Sequence, residues 1–213
     1  MDVVLPCLDE AGALPGVLAA MPHGYRPIVV DNGSTDGSPI VAAELGATVV
    51  HEPRRGYGAA VHSGLEAATA DVVCFLDADG SLDPAELPGL VALLDESTDL
   101  VVGRRSPIEK GCWPWHARAG NTLLAALLRR RGVAVHDIAP ARACRRENLL
   151  DLGVTDRAFG YPLELLLRAG RAGWRIAELE VSYRNRAKGT RSKVSGSVRG
   201  TARAVRDMAG VLR

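Results

Sequence analysis

Residues 75–84 read FLDADGSLDP, which sets two carboxylates, Asp77 and Asp79, one residue apart behind an apolar run. Two chemistries use such a pair. Asp77 can act as a nucleophile that accepts a phosphoryl group, with Asp79 as general acid. Alternatively, the pair can hold a hard divalent cation, Mg2+ or Mn2+, against a nucleotide diphosphate. In that case one carboxylate binds the ion directly, the other binds directly or through water, and further positions stay open to phosphate oxygens. A lone DxD is common, so its surroundings decide. Glu10 follows VVLPCLD and Asp31 follows PIVV, so acidic side chains come after three Val-rich runs. A helix cap or a solvated loop accounts for any one of them. Ligands of open α/β sheets bind at the carboxyl ends of strands, and three acidic strand ends together point to a site.

The elements that must carry these residues are short apolar runs alternating with helical patterns. VVL at 3–5 precedes LPGVLAAM, PIVV at 27–30 precedes SPIVAAELG, and ATVV at 47–50 precedes GYGAAVHSGLEAATA. DVVCFL at 71–76 precedes PAELPGLVALL, and DLVVG at 99–103 closes the series. Continuous apolar strands alternating with helices predict an α/β sandwich, a mostly parallel sheet covered on both faces. Asp83 before Pro84 predicts a helix start with Asp as N-cap and Pro in the first turn. Beyond residue 103 the pattern predicts a helix over about 115–131, a short strand around 133–138, a helix near 161–171 and a strand in WRIAELEVSY. A C-terminal helix over 197–212 would place Val198, Ala202, Val205, Ala209 and Leu212 on one side. No repeat or linker divides the chain. One domain is expected over 1–213, with a nucleotide-binding half at 1–103 and a second half at 104–213 that completes a cleft.

The bulk properties narrow the class. A chain of 213 residues, 47% hydrophobic and 24% charged, can bury a sizeable core, and aromatics at 4% leave that core to Val, Leu, Ile and Ala. Cys7, Cys74, Cys112 and Cys144 match no CxxC spacing and read as reduced thiols of a cytoplasmic protein. No segment reaches the roughly 18 apolar residues of a membrane span, and the start MDVVLPCL has no basic leader, so a protein neither exported nor integral is expected. Residues 184–213 carry nine Lys/Arg and one acid, against a whole-chain charge of +1, so anions are met at this end. Arg199, Arg203 and Arg206 beside the apolar side of the last helix suit peripheral contact with the inner face of an anionic membrane; packing that side on the domain is the alternative. Nucleic acid is not expected, because Tyr183 is the sole aromatic near the basic tail.

FLDADGSL also matches the first motif of haloacid dehalogenase-type phosphatases. That motif ordinarily closes the first strand of its domain, whereas at least three strand–helix units come before it here. The GDxxxD that should complete such a site is also missing, since DESTD at 95–99 has no Gly and follows a helical run. The chain as a whole resembles the family 2 glycosyltransferases of the GT-A fold, and within them the polyprenyl-phosphate and dolichyl-phosphate sugar synthases. VVLPCLDEAGAL, VVDNGSTDGS and RRGYGAAVHSGLEAATADVVCFLDAD carry the likeness in the first half; DLVVGRR, RAGN, FGYPLELLLRAGRAGWRIAELEVSY and RSKVSG continue it.

The resemblance implies a Rossmann-like GT-A sandwich and a metal-dependent, inverting transfer of sugar from a UDP- or GDP-sugar. Pro6, Leu8 and Glu10 would line the nucleoside, Asp31 and Asn32 would meet base or ribose, and Gly58 and Ala78 would let backbone approach the nucleotide. Asp77 and Asp79 would bind the metal, with Asp79 the more direct ligand and catalytic in that sense. A polyprenyl-phosphate acceptor arrives anionic and needs cations, for which Arg105, Arg118, Arg191 and Lys193 are the candidates. A small hydroxyl acceptor needs a base, for which Glu164 or Asp137 is the candidate. Pairing of Glu164 with Arg168, four residues on, or of Asp137 with Arg142, is the structural alternative. Asn32 stands where many relatives carry a second aspartate, and Ser81 where lipid-phosphate relatives often carry Gln.

Overall fold

The computed structural model describes residues 1–187, 190 and 198–212. Seven strands form one sheet in the order β3-β2-β1-β4-β6-β5-β7. The strands are β1 (Asp2–Cys7), β2 (Arg26–Asp31), β3 (Thr48–His51), β4 (Val72–Phe75), β5 (Leu100–Pro107), β6 (Arg142–Arg145) and β7 (Ile176–Tyr183). β1 pairs in parallel with β2 and β4, β2 with β3, and β5 with β7; β6 runs antiparallel to both its neighbours, β4 and β5. The carboxyl ends of β1, β2, β4 and β5 and the amino end of β6 therefore share one edge.

The uninterrupted apolar strands are explained by two covered faces. Val4, Ile28, Val30, Phe75, Leu100 and Val102 face one core, beneath α3 (Tyr57–Ala67), α5 (Trp115–Arg130), α6 (Arg146–Asp151) and α7 (Tyr161–Arg171). Their alternates Val3, Leu5, Val29, Cys74 and Val101 face the other, beneath α1 (Leu14–Ala19), α2 (Ser38–Glu44) and α4 (Leu87–Ala92). Period-2 alternation sends successive side chains to opposite layers, and both layers are apolar.

Four local expectations change. Residues 133–138 form no strand: Val133 and Val135 are buried in the first core from an irregular segment, and the strand comes later, at β6. Pro140 has no N–H to give a ladder, and the Asp137 side chain turns to bind backbone and Arg105, so pairing starts only at Arg142. The strand begun by DLVVG runs on to Pro107, because β7 pairs with it as far as Pro107 opposite Tyr183. The helix after Asp83 is split: the Asp83 side chain accepts from Ala85 N at 3.0 Å as expected, over a 3-10 turn Pro84–Glu86, and Pro88 then opens α4.

The fourth change concerns α8 (Val198–Val211). Its buried side is set by Ala204, with Met208, Val211 and the expected Leu212 packed on the first core, while Val205 is 62% exposed, Ala202 and Ala209 face solvent, and the Val198 side chain lies outside the described part. The packed stripe thus passes through Ala204, Met208 and Val211. Gly160 faces this stripe and touches Val211. No helix among the described residues is long and apolar enough to cross a membrane.

Candidate active site

The shared strand edge opens into a cleft of about 1060 Å³. On the β1 side its wall is Pro6, Leu8 and Glu10. Their loop is held by the one that follows β2: Ser34 Oγ accepts from Asp9 N, Ser38 Oγ from Glu10 N, and Asp36 from Ala11 N, each at 2.9 Å. Asp9 reciprocates by accepting from Thr35 N at 2.8 Å. The Gly/Ser/Asp-rich VVDNGSTDGS is therefore a clamp on the first loop.

Asp31 serves that clamp and does not line the cleft: its carboxylate accepts from Ser34 N at 3.0 Å and Gly33 N at 3.3 Å, with His51 at 3.5 Å. Burial opposes its charge, but the Ser34 and Gly33 hydrogen bonds and His51 hold its carboxyl below the usual range. Asn32 does reach the cleft wall, as a bracket that donates to Glu52 O and Arg54 O and accepts from Gly56 N. Gly58 faces the protein instead of a ligand. A Cβ there would lie 2.7 Å from Asp156 O and 2.8 Å from Tyr161 Cβ, so the close backbone approach in GYGAA is between α3 and the segment before α7.

Asp77, Ala78 and Asp79 form the floor, just past the end of β4. Asp79 is buried; Ser81 N donates to its Oδ1 at 2.9 Å, and Arg186 forms an ion pair with its Oδ2. Burial, then the neighbouring Asp79 charge, pushes the Asp77 carboxyl up to about 6 against the pull of Arg186, Arg105 and Arg142. Two adjacent carboxylates on the floor of a cleft are a donor set suited to a divalent cation that takes its other ligands from phosphate and water. Among the described residues no group of three or more His, Cys, Asp or Glu side chains could hold an ion without such outside ligands.

The second half contributes arginines, mostly others than expected. Arg105 enters the cleft but is bound to Asp137: Nε donates to Oδ2 at 2.9 Å and Nη2 to Oδ1 at 2.7 Å. Its guanidinium lies over Trp113, 4.1 Å from the ring centroid, with Tyr183 at 5.4 Å. Arg118 stands with Arg104, Arg105, His136 and Asp137 around an adjoining pocket of about 340 Å³. Arg191 and Lys193 lie outside the described residues.

Neither candidate base is available in this arrangement. Asp137 also accepts from Arg105 N at 3.0 Å and Ala139 N at 2.9 Å. Burial opposes its charge, but Arg105 and these N–H groups hold its carboxyl below the usual range. Its partner is thus Arg105, not Arg142. Glu164 is outside the cleft, accepting from Thr155 N and Asp156 N and from Arg168 Nε at 2.6 Å, which is the i,i+4 pairing set out above.

Residues to which sequence reasoning gave no place in the cleft are Arg142, read there only as a partner of Asp137 and found buried at the head of β6, Arg186, and Arg203, Asp207 and Met208 of α8, of which Arg203 was read as a membrane contact. Arg186 reaches Asp79 because residues 79–82 lie alongside 183–187: Arg184 N donates to Ser81 O, Ala187 N to Asp79 O, and Leu82 bridges to Tyr183. The run Arg184-Asn185-Arg186 directly after a strand was the available signal.

A sheet of this topology, with a carboxylate pair closing its central strand toward a cleft, belongs to the glycosyltransferases of GT-A type. Residues 2–153 match glycosyl transferase family 2, and the chain belongs to that family. It is 59% identical to an uncharacterized glycosyltransferase of Mycobacterium tuberculosis, over 97% of this chain and 95% of that protein. It is 36% identical to a dolichyl-phosphate hexose transferase of Haloferax volcanii, over 90% and 86%. Among solved structures, glucosyl-3-phosphoglycerate synthase from Mycobacterium tuberculosis, in complex with Mn2+, UDP and glucosyl-3-phosphoglycerate, superposes with a TM-score of 0.76 at 28% identity, covering 99% of this chain and 77% of that one.

Proposed function

We propose that the chain is a divalent-metal-dependent, inverting glycosyltransferase that moves a sugar from a UDP- or GDP-sugar to a phosphate-bearing acceptor, with a polyprenyl phosphate first among acceptors. The observation that carries the reading is the Asp77–Asp79 floor, which faces the cleft between the nucleoside wall and Arg186. Asp79, with Asp77 beside it, would hold Mg2+ or Mn2+; the ion, when bound, supplies positive charge for the leaving diphosphate. Arg186, paired with Asp79 in this structure, would be free to pair with the same diphosphate once an ion is held by that carboxylate, and Pro6, Leu8 and Glu10 would orient the nucleoside.

The acceptor assignment follows from the carboxylates. A hydroxyl acceptor needs a general base, and Asp137 and Glu164 are both committed to arginines and backbone N–H groups. A phosphate needs none, because it is already anionic. A small hydroxyl acceptor that carries a phosphate is the second reading, supported by the structural likeness to a synthase crystallised with glucosyl-3-phosphoglycerate; its hydroxyl would need a proton acceptor other than Asp137 and Glu164. Contact with a membrane surface would follow from the lipid acceptor.

Calorimetric titration with UDP and GDP, each with and without Mn2+, on wild type and Asp79→Asn tests the donor site. Metal-dependent binding of one diphosphate, lost in the variant, is the expected result. Transfer from the matching nucleotide sugar to a short-chain polyprenyl phosphate or to 3-phosphoglycerate then separates the acceptors. Binding of neither diphosphate in any condition would overturn the reading.

A further inference from the structure

Arg142 has no role in the account so far. It stands at the head of β6, opposite Phe75 of β4 and Val102 of β5, and is 1% exposed. Its Nη2 donates to Ile138 O at 2.5 Å, while Nε and Nη1 have no hydrogen-bond partner among the described residues. The side chain borders the cleft beside Asp77, whose carboxyl feels its charge. Tyr57 is close enough to feel it too, but no hydrogen bond of normal geometry satisfies the two idle N–H groups. Arg105 and Arg186, the other arginines around Asp77, are each tied to a carboxylate. A buried guanidinium with idle donors is costly to the fold, and a small turn of the side chain toward the cleft it borders would let a ligand satisfy them.

Position says which part of a ligand. Along the strand edge the nucleoside wall belongs to β1 and the loop after β2, and the carboxylate floor follows β4; β6 comes next. A nucleotide sugar laid with its nucleoside on that wall and its diphosphate at Asp79 extends its sugar toward β6. We propose that Arg142 reads the transferred sugar, its Nε–H and Nη1–H pairing with oxygens of neighbouring hydroxyls on a neutral hexose. This assignment rests on the glycosyltransferase reading above. Charge argues for a neutral sugar. With Arg105 paired to Asp137, the Glu10, Asp77, Asp79 and Asp207 carboxylates and the two charges of the diphosphate are matched by a divalent ion with Arg55, Arg142, Arg186 and Arg203, leaving no surplus cation for a carboxylate on the sugar.

The test is binding, with no turnover needed. Wild type, Arg142→Gln and Arg142→Lys are titrated in Mn2+ with UDP, UDP-glucose, UDP-glucuronate, GDP and GDP-mannose, and their unfolding is followed without ligand. Arg142→Gln is expected to weaken binding of the preferred diphosphate by less than it weakens binding of the nucleotide sugar, because with the diphosphate only the charge beside Asp77 is lost. It should lose about tenfold or more of the affinity for the corresponding neutral nucleotide sugar, from the loss of two charge-assisted hydrogen bonds, and Arg142→Lys should recover part of this. Arg142→Gln should unfold no more easily than wild type. Equal losses for diphosphate and nucleotide sugar, or no loss for either, would overturn the proposal. UDP-glucuronate binding better than UDP-glucose in an Arg142-dependent way would overturn the neutral-sugar assignment. A wild type that binds no nucleotide removes the transferase reading and this one with it, whereas a wild type that binds and a Gln variant that keeps its sugar preference removes only this one.

Discussion

Replacing Asp137 by Asn tests whether the Arg105–Asp137 pair is a support of the site or a proton acceptor within it. The pair is buried, with side-chain exposures of 14% for Arg105 and 1% for Asp137. Asp137 accepts four hydrogen bonds, three of them from Arg105. An amide keeps one oxygen and turns a donor toward a donor, so part of the guanidinium is left buried and unmatched. Breaking one side of a buried pair costs about 3–5 kcal/mol. For a domain of this size each kcal/mol lowers Tm by about 2–4 °C, so a fall of roughly 6–20 °C is expected. Urea unfolding of wild type, Asp137→Asn, Arg105→Met and the Arg105→Met/Asp137→Asn double variant measures it, because removing both charges should cost far less than the two single losses combined. A cost below about 1 kcal/mol for Asp137→Asn, or strictly additive losses, would refute the reasoning. Abolished transfer at an unchanged Tm would return Asp137 to the role of base.

Gly58→Ala should cost about 1–3 kcal/mol in urea unfolding, since its Cβ would meet Asp156 O and Tyr161 Cβ, without altering nucleotide affinity of the folded fraction. Because the Asp77 carboxyl is raised to about 6, protons should compete with the metal below that pH, and the Mn2+ affinity measured by calorimetry should fall by about tenfold per pH unit there. The same upward shift means that, in metal-free protein, the contribution of Asp77 to stability is greatest when it is protonated and is lost as pH rises from about 4 through 6; Asp77→Asn should flatten that part of the urea-midpoint profile. Glu164→Gln should destabilise by about 1.5–3 kcal/mol through its bonds to Arg168, Thr155 and Asp156, while kcat of the folded enzyme stays near wild type.

The first half of the fold was legible because each of its strands is buried on both faces and so appears as an unbroken apolar run. β6 breaks that rule. RACR begins and ends with arginine, and a charged residue inside a short run reads as loop, yet Arg142 is buried at the cleft. The Asp77–Asp79 pair could be read from spacing alone, whereas the Arg105–Asp137 and Arg186–Asp79 pairs depend on contacts across 32 residues or more, which no local pattern encodes. For α8 the helical period was right and Leu212 packs as expected, but Ala202, Val205 and Ala209 do not face the core. Val, Ala, Gly and Met are scattered around the whole helix, so composition marks no single stripe, and packing against the first core selects Ala204, Met208 and Val211.

The reversed direction of β6 has an evolutionary consequence. β5 leaves the sheet at Pro107 and the chain returns beside it at Arg142, antiparallel, so residues 108–141 are one excursion that departs from and rejoins the same edge. That excursion carries Trp113, Arg118 and Asp137, the residues around the cavity next to the donor floor. Its exposed parts can change length without shifting the register of any other strand, while Leu128, Val133, Val135 and Asp137 tie the rest to the first core and to Arg105. If that cavity receives the acceptor, related enzymes can diverge there in what they glycosylate while the strands of the first half stay as they are, and chimaeras joined at 107 and 142 that keep the Arg105–Asp137 pair test it.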